Sequence, residues 1–153
     1  MIEKAIQRTL SVKDLTTGLI EATRRGDWGE VDNTLVPQLG GVNGSKMAQE
    51  LLEYVTDENP DVRGVVATAL ASLKISMAGT RKKVITEMIG MATTDTQVFP
   101  AGGAAVFLLN HSGETPRIKI KKAIKDFVRR AQENEWVAEL TENIHELRAI
   151  LKT

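Results

Sequence analysis

Two clusters of basic residues are the part of this sequence best suited to recognising a charged ligand. Arg81, Lys82 and Lys83 stand together, and residues 117–130 carry seven basic residues against Asp126 alone, a net charge of +6. Lysine and arginine at this density attract phosphate groups and acidic protein surfaces. The candidate partner-binding residues, here called the basic ridge, are Arg81, Lys82, Lys83, Arg117, Lys119, Lys121, Lys122 and Lys125. Cations at a helix N-terminus oppose the helix dipole, so their clustering there hints at a function.

Residues suited to catalysis or metal binding are scarce. The chain has no cysteine and two histidines, His111 and His145, which excludes thiolate chemistry and cysteine-ligated zinc. His145-Glu146 lacks the second histidine of the metalloprotease H-E-x-x-H motif. The glycine-rich loop 40–46 does not have the residue order of a phosphate-binding loop. We therefore predict no catalytic residue, no cofactor, no metal site and no enzymatic activity.

Length and composition indicate one folded domain over residues 1–153. Hydrophobic residues make up 42% of the chain, and 20 basic residues balance 20 acidic ones, which argues against intrinsic disorder. A chain of this length buries roughly 70% of its unfolded surface, enough for a single core. No window approaches 18 uninterrupted apolar residues, so no membrane span is predicted. The absence of cysteine and of a secretory pattern at 1–8 favours a cytoplasmic location.

Apolar residues recur every three or four positions along nearly the whole chain, which is the spacing of amphipathic helices. No stretch alternates convincingly in the manner of a strand, so the predicted fold class is all-α. The predicted N-caps are Ser11, Ser45, Thr80 and Thr115, at intervals of 34, 35 and 35 residues. Each interval holds two helical stretches. The predicted hairpins are 12–39, 46–75, 81–110 and 116–152, after a lead-in helix at 2–10.

Capping and helix-breaking residues support these boundaries. Asn59-Pro60 places a strong N-cap before a proline at the first helical position. Gly26 stands where a helix would end in the left-handed conformation. Pro37 falls inside an apolar run, so we expect it to kink its helix or delay the start of that helix. The small residues at 101–105 are expected to let their helix pack closely against a neighbour.

A repeat of about 35 residues built from helix pairs is typical of an α-solenoid. One hairpin cannot bury its own apolar face, and stacked neighbours bury it for each other. Shifting the two middle units by 36 residues superposes six apolar pairs, from Leu52 on Met88 to Leu73 on Leu109. The same shift aligns 81–83 with 117–119, so both basic clusters are expected on one edge. The predicted architecture is a short, right-handed α-α superhelix of about four hairpins.

The second hairpin resembles a HEAT repeat. Its apolar first helix is followed by Asp57 and Pro60 at the turn and by Val62 and Arg63 in the second helix. The resemblance implies that Asp57, Pro60, Val62 and Arg63 form a structural repeat motif, with Asp57 and Arg63 bridging the turn and neighbouring units. The third hairpin departs from this pattern, and the first is equally similar to an ankyrin-type or tetratricopeptide hairpin. Some HEAT-like families act on damaged DNA or bilin cofactors, but none of their functional residues can be matched here.

The resemblance implies a non-catalytic scaffold that presents a rigid surface to a protein partner. One alternative is contact with a nucleic-acid duplex through the basic ridge, since the aromatic residues needed to stack single strands are missing nearby. Another is a homo-oligomer formed through exposed solenoid ends. The charges can also be ordinary solvated faces that pair with each other. Trp28 and Trp136 are expected to pack in or cap the ends, and either would be a partner anchor if exposed.

Overall fold

The computed structural model of the protein describes residues 10–143, 147 and 148, and every regular element among them is helical. The α-helices are α1 (Val12–Arg24), α2 (Trp28–Glu30), α3 (Gly44–Leu51), α4 (Pro60–Ser72), α5 (Ala78–Thr94), α6 (Val98–Asn110), α7 (Arg117–Glu133) and α8 (Val137–Asn143). The prediction of an all-α fold is confirmed. The lead-in helix predicted at 2–10 and much of the last predicted helix lie outside the described residues. Within the described part of the chain, no helix is long and apolar enough to cross a membrane.

Three predicted helix boundaries are confirmed in atomic detail. The Ser11 hydroxyl accepts a hydrogen bond from the Asp14 amide at 3.1 Å, which caps α1. The Asn59 side chain accepts from the Asp61 amide at 2.9 Å, and Pro60 is the first residue of α4. Gly26 has φ +71° just after α1 ends, a conformation that a residue with a Cβ adopts at a cost.

The segment after α2 is the irregular part of the first hairpin. A π-helical turn spans Val31–Leu35 and a 3₁₀ helix spans Val36–Gly41, so the predicted interruption near Pro37 is confirmed. Proline lacks the amide needed to continue α-helical bonding. Val31, Leu35 and Leu39 are nevertheless buried at four-residue spacing, and their burial holds the segment against the core.

The hairpins stack in two layers. The first helices α1, α3, α5 and α7 each contact the next in order, and on the other side the segment 36–41 packs on α4, which packs on α6. The α4–α6 contact is the most extensive one. It is close because residues 101–105 are small and buried, and a Cβ on Gly103 would lie 3.0 Å from the Cβ of Ala67. The expected role of these small residues in packing is confirmed.

Three of the four predicted N-caps are wrong. Asn43 caps α3 by accepting from the Lys46 amide at 3.0 Å, α5 begins after Met77, and α7 begins after Pro116. Ser45 and Thr80 are instead buried in the first turns of α3 and α5. Their hydroxyls face the neighbouring hairpin, where a buried polar group must find a partner. Ser45 accepts from the Met77 amide at 2.9 Å, and Thr80 accepts from the Gln49 amide group at 3.0 Å.

The structure also corrects the 36-residue alignment of the units. Helices α4 and α6 have the same length and start 38 residues apart, whereas α5 and α7 have the same length and start 39 residues apart. The 36-residue shift was wrong because it treated α3 as a full first helix. Helix α3 has 8 residues followed by a 3₁₀ turn at Leu52–Tyr54, whereas α5 has 17.

We predict that Gly44→Ala destabilises the joint between the second and third hairpins. A Cβ at Gly44 would lie 2.0 Å from the carbonyl oxygen of Lys74, and backbone cannot move aside cheaply. Forced overpacking of this kind costs about 1–3 kcal/mol in the free energy of unfolding, measurable by denaturant titration. The matched control is Gly79→Ala in the first turn of α5, where a Cβ meets nothing within 4 Å. A control as unstable as the Gly44 variant would contradict this assignment.

Candidate functional site

Seven of the eight predicted partner-binding residues lie exposed on α7 and the start of α5: Lys82, Lys83, Arg117, Lys119, Lys121, Lys122 and Lys125. None of these seven makes an ion pair with an acidic residue in the described part of the chain. The 39-residue register places Lys82 level with Lys121 and Lys83 level with Lys122. The ridge therefore runs across two adjacent first helices, although in a different alignment from the predicted one.

Arg81 differs from the rest of the basic ridge because its side chain is engaged inside the chain. Its Nε lies 2.6 Å from Glu114 Oε1, and its Nη1 donates to the Ile75 carbonyl at 2.9 Å. In the 39-residue register Arg81 matches Ile120, which is fully buried, so this position faces the neighbouring elements. The other oxygen of Glu114 pairs with His111 Nδ1. Arg81 and Glu114 thus tie the start of α5 to the turn that precedes α7.

His111 has a structural position in the same turn. Its ring stacks on Phe107 with a centroid distance of 4.2 Å and an interplanar angle of 22°. It is also the residue that follows the last helical residue of α6. Among the described residues, no three or more histidine, aspartate or glutamate side chains converge in a way that could hold a metal ion.

A groove between α5 and α7 concentrates the positive charge of the ridge. It has a volume of about 500 Å³ and is lined by Ile89 and Thr93 on α5 and by Lys119, Lys122, Ala123, Lys125, Asp126 and Arg129 on α7. Its one acid, Asp126, accepts a hydrogen bond from Arg129 at 2.6 Å. The lysines therefore face the groove without a neutralising carboxylate.

The neighbouring groove between α3 and α5 has a mixed character. Lys82 and Lys83 line it, but so do Glu53 and Glu87. Its volume is about 790 Å³, larger than that of the α5–α7 groove. Because acids and bases alternate along its walls, this groove offers no preference for one sign of charge.

Ile118 is an exposed apolar residue inside the basic ridge that sequence analysis missed. Its side chain is 83% exposed, between Arg117 and Lys119. A signal was available, since residues two apart on a helix point in very different directions and Ile120 belongs to the core stripe. An apolar side chain this exposed adds contact area that a purely electrostatic surface lacks.

The predicted repeat motif is present, but its members bind different partners from those expected. Asp57 pairs with Arg24 of the first hairpin at 2.5 Å. Arg63 reaches Asp95 of the third hairpin at 2.8 and 3.1 Å, and it donates to the backbone carbonyl of Asp57 at 2.9 Å. Pro60 opens α4 and Val62 is fully buried. Asp57 and Arg63 therefore bridge neighbouring hairpins, and Arg63 is engaged internally.

The two tryptophans have different surroundings. Trp28 is 38% exposed and meets Phe99 edge to face, with ring centroids 6.1 Å apart. Trp136 is half-buried beneath the Arg130 guanidinium, which lies 5.5 Å from the ring centroid. Trp28 thus meets the exposure condition set for a partner anchor. It belongs to the layer opposite to the one that carries the ridge.

Comparison with known proteins gave no match of any kind: no family model, no curated protein and no solved structure is similar to this chain. The argument for function consequently depends on the ridge, the grooves and the packing that fixes them.

We predict a pH-dependent contribution of Asp57 to stability. The hydrogen bond from Arg24 is the main cause that lowers the pKa of the Asp57 carboxyl below its ordinary value of 3.8. A lowered folded-state pKa means that this stabilisation is present at neutral pH and is lost as the pH falls through that pKa. The unfolding free energies of the wild type and Asp57→Asn should differ at pH 7 and converge in acid. The same difference should disappear in an Arg24→Gln background, and a gap that is constant with pH would refute the assignment.

We also predict that neutralising the ridge does not cost stability. Arg117 and Lys119 lie in the first turn of α7, where each cation opposes the helix dipole by a few tenths of a kcal/mol. A variant with all seven exposed ridge cations changed to Gln should unfold at the same or a slightly higher denaturant concentration. A clear loss of stability would mean that these side chains serve the fold and not a partner.

Proposed function

We propose that this chain is a non-catalytic α-solenoid scaffold of HEAT-like hairpins that binds an acidic segment of a protein partner on its basic ridge. One observation carries the proposal. Seven exposed cations on adjacent first helices lack acidic partners among the described residues, while the acids at the turns are paired. Binding sites are where unpaired like charge is retained at some expense of stability.

The solenoid part of the proposal is supported by how the hairpins stack. First helices contact first helices and second helices contact second helices, which is how repeated helical hairpins bury a continuous core. A turn aspartate recurs 38 residues later, since Asp57 accepts from the Asn59 amide and Asp95 accepts from the Gln97 amide, both at 3.0 Å. Each of these aspartates also binds an arginine of the preceding hairpin.

A protein partner is favoured over a nucleic-acid duplex by the apolar groups within the ridge. Ile118 is 83% exposed, and Ile89 and Ala123 line the α5–α7 groove. A phosphate backbone presents charge and no matching apolar surface, whereas a protein segment can offer both. None of the residues that line this groove is aromatic, so base stacking gains no platform there.

The test is fluorescence anisotropy with three labelled probes: a helical peptide with one glutamate and one leucine face, the same peptide with serine for leucine, and a DNA duplex. We expect the glutamate–leucine peptide to bind most tightly at about 200 mM salt, where phosphate-backbone binding is weak. Binding should fall at least about ten-fold in the seven-residue Gln variant, because several charge pairs of under about 1 kcal/mol each are lost.

Two results would change the conclusion. A duplex that binds more tightly than both peptides, and whose affinity drops by about 10³ between 50 and 200 mM salt, would replace the protein partner with nucleic acid. If no probe binds at low salt, the ridge is a solvated surface and the proposal fails.

A further inference from the structure

We infer that the α5–α7 groove is the docking site of the partner, and that the docked segment is an amphipathic helix with one acidic and one apolar stripe. This inference rests on the proposed function, and it adds the position and the chemistry of the ligand. Helices commonly bind proteins by laying an apolar face into a groove between helices. The volume of about 500 Å³ lies within the range of established ligand sites.

The basic wall of the groove has the spacing of a helical ligand. Lys119, Lys122 and Lys125 are three residues apart on α7, so each step rises about 4.5 Å along the helix axis. Carboxylates three or four residues apart on a second helix rise by about 5 Å per step, which matches that wall. The acid within the groove does not compete, because Arg129 binds both Asp126 and Glu133.

The floor of the groove suits an apolar stripe. Ile89 and Ala123 line it, and Thr93 donates its hydroxyl to the Ile89 carbonyl at 2.8 Å. With that hydroxyl satisfied by its own helix, an apolar ligand side chain leaves no polar group unpaired beside it. Ile118 precedes Lys122 by four residues and so lies on the same side of α7, where it extends the apolar contact.

Both ends of the groove are fixed by contacts between its two helices and their turns. At the start of α5, Arg81 binds Glu114 in the turn before α7. At its end, Arg130 of α7 donates to the Ala92 carbonyl at 2.8 Å and also to the Asp95 carbonyl. A groove held at both ends binds without first paying to order itself, which favours affinity for a rigid helical ligand.

The experiment is a selection of displayed helical peptides with randomised surfaces against the wild-type protein, followed by affinity measurement on variants. We expect enriched peptides to combine acids with leucine or isoleucine at three- and four-residue spacing. The triple variant K119Q/K122Q/K125Q should weaken the selected peptide at least about ten-fold, since three close charge pairs are removed. The matched variant K82Q/K83Q/K121Q removes three ridge lysines that do not line the groove, and it should weaken binding less than about three-fold.

A second variant tests the apolar contact separately from the charge. Ile118→Ser alters a side chain that is 83% exposed, so it should leave the fold intact and weaken the selected peptide several-fold. Equal losses in the two triple variants would keep the ridge as a binding surface but overturn the groove as its centre. Selected peptides without acidic residues, or no enrichment at all, would also overturn this inference. Failure of the proposed function differs, because then the glutamate–leucine probe does not bind the wild-type protein either.

Discussion

A pairing of turn aspartates with arginines of the preceding hairpin is the interaction on which the rest of this structure depends. Arg24 reaches forward to Asp57, and Arg63 reaches forward to Asp95. The apolar core alone would allow neighbouring hairpins to slide, since hydrophobic burial has no preferred direction. A two-pronged guanidinium–carboxylate contact is directional, and it fixes the turn end of one hairpin on the next. At the opposite end the Ser45 hydroxyl and the Met77 amide do the same for the second and third hairpins.

The sequence predicts those features of the fold that depend on local chemistry. The caps at Ser11 and Asn59 follow from side chains that satisfy free amides within their own first turn. Ser45 and Thr80 have the same residue types, but each hydroxyl lies against another hairpin, and no local pattern distinguishes the two situations. The repeat register failed for a related reason. A short α3 and a 3₁₀ turn replace a full helix, so the spacing of apolar residues does not report one constant unit length.

The candidate site was predictable in composition but not in geometry. Cation density alone located the ridge, and seven of its eight members are exposed. Only the packing of α7 against α5 determines that Arg81 faces Glu114 and that Lys119, Lys122 and Lys125 share one groove. Ile118 was overlooked because an isolated apolar residue among lysines resembles an edge of the core stripe. Its exposure becomes evident once Ile120 is placed in the core.

Arginine and lysine divide the work of this fold between them. Among the described residues, the side-chain ion pairs are made by Arg24, Arg25, Arg63, Arg81 and Arg129 and by His111. Arginine suits these positions because its planar fork can hold a carboxylate in one geometry, whereas the lysine ammonium is a strongly hydrated point charge on a flexible stem. The ridge is made almost wholly of lysine, so its charges stay in water and available until a partner arrives. A chain with no net charge can therefore present a local excess of positive charge, because its arginines occupy acids that would otherwise neutralise the lysines.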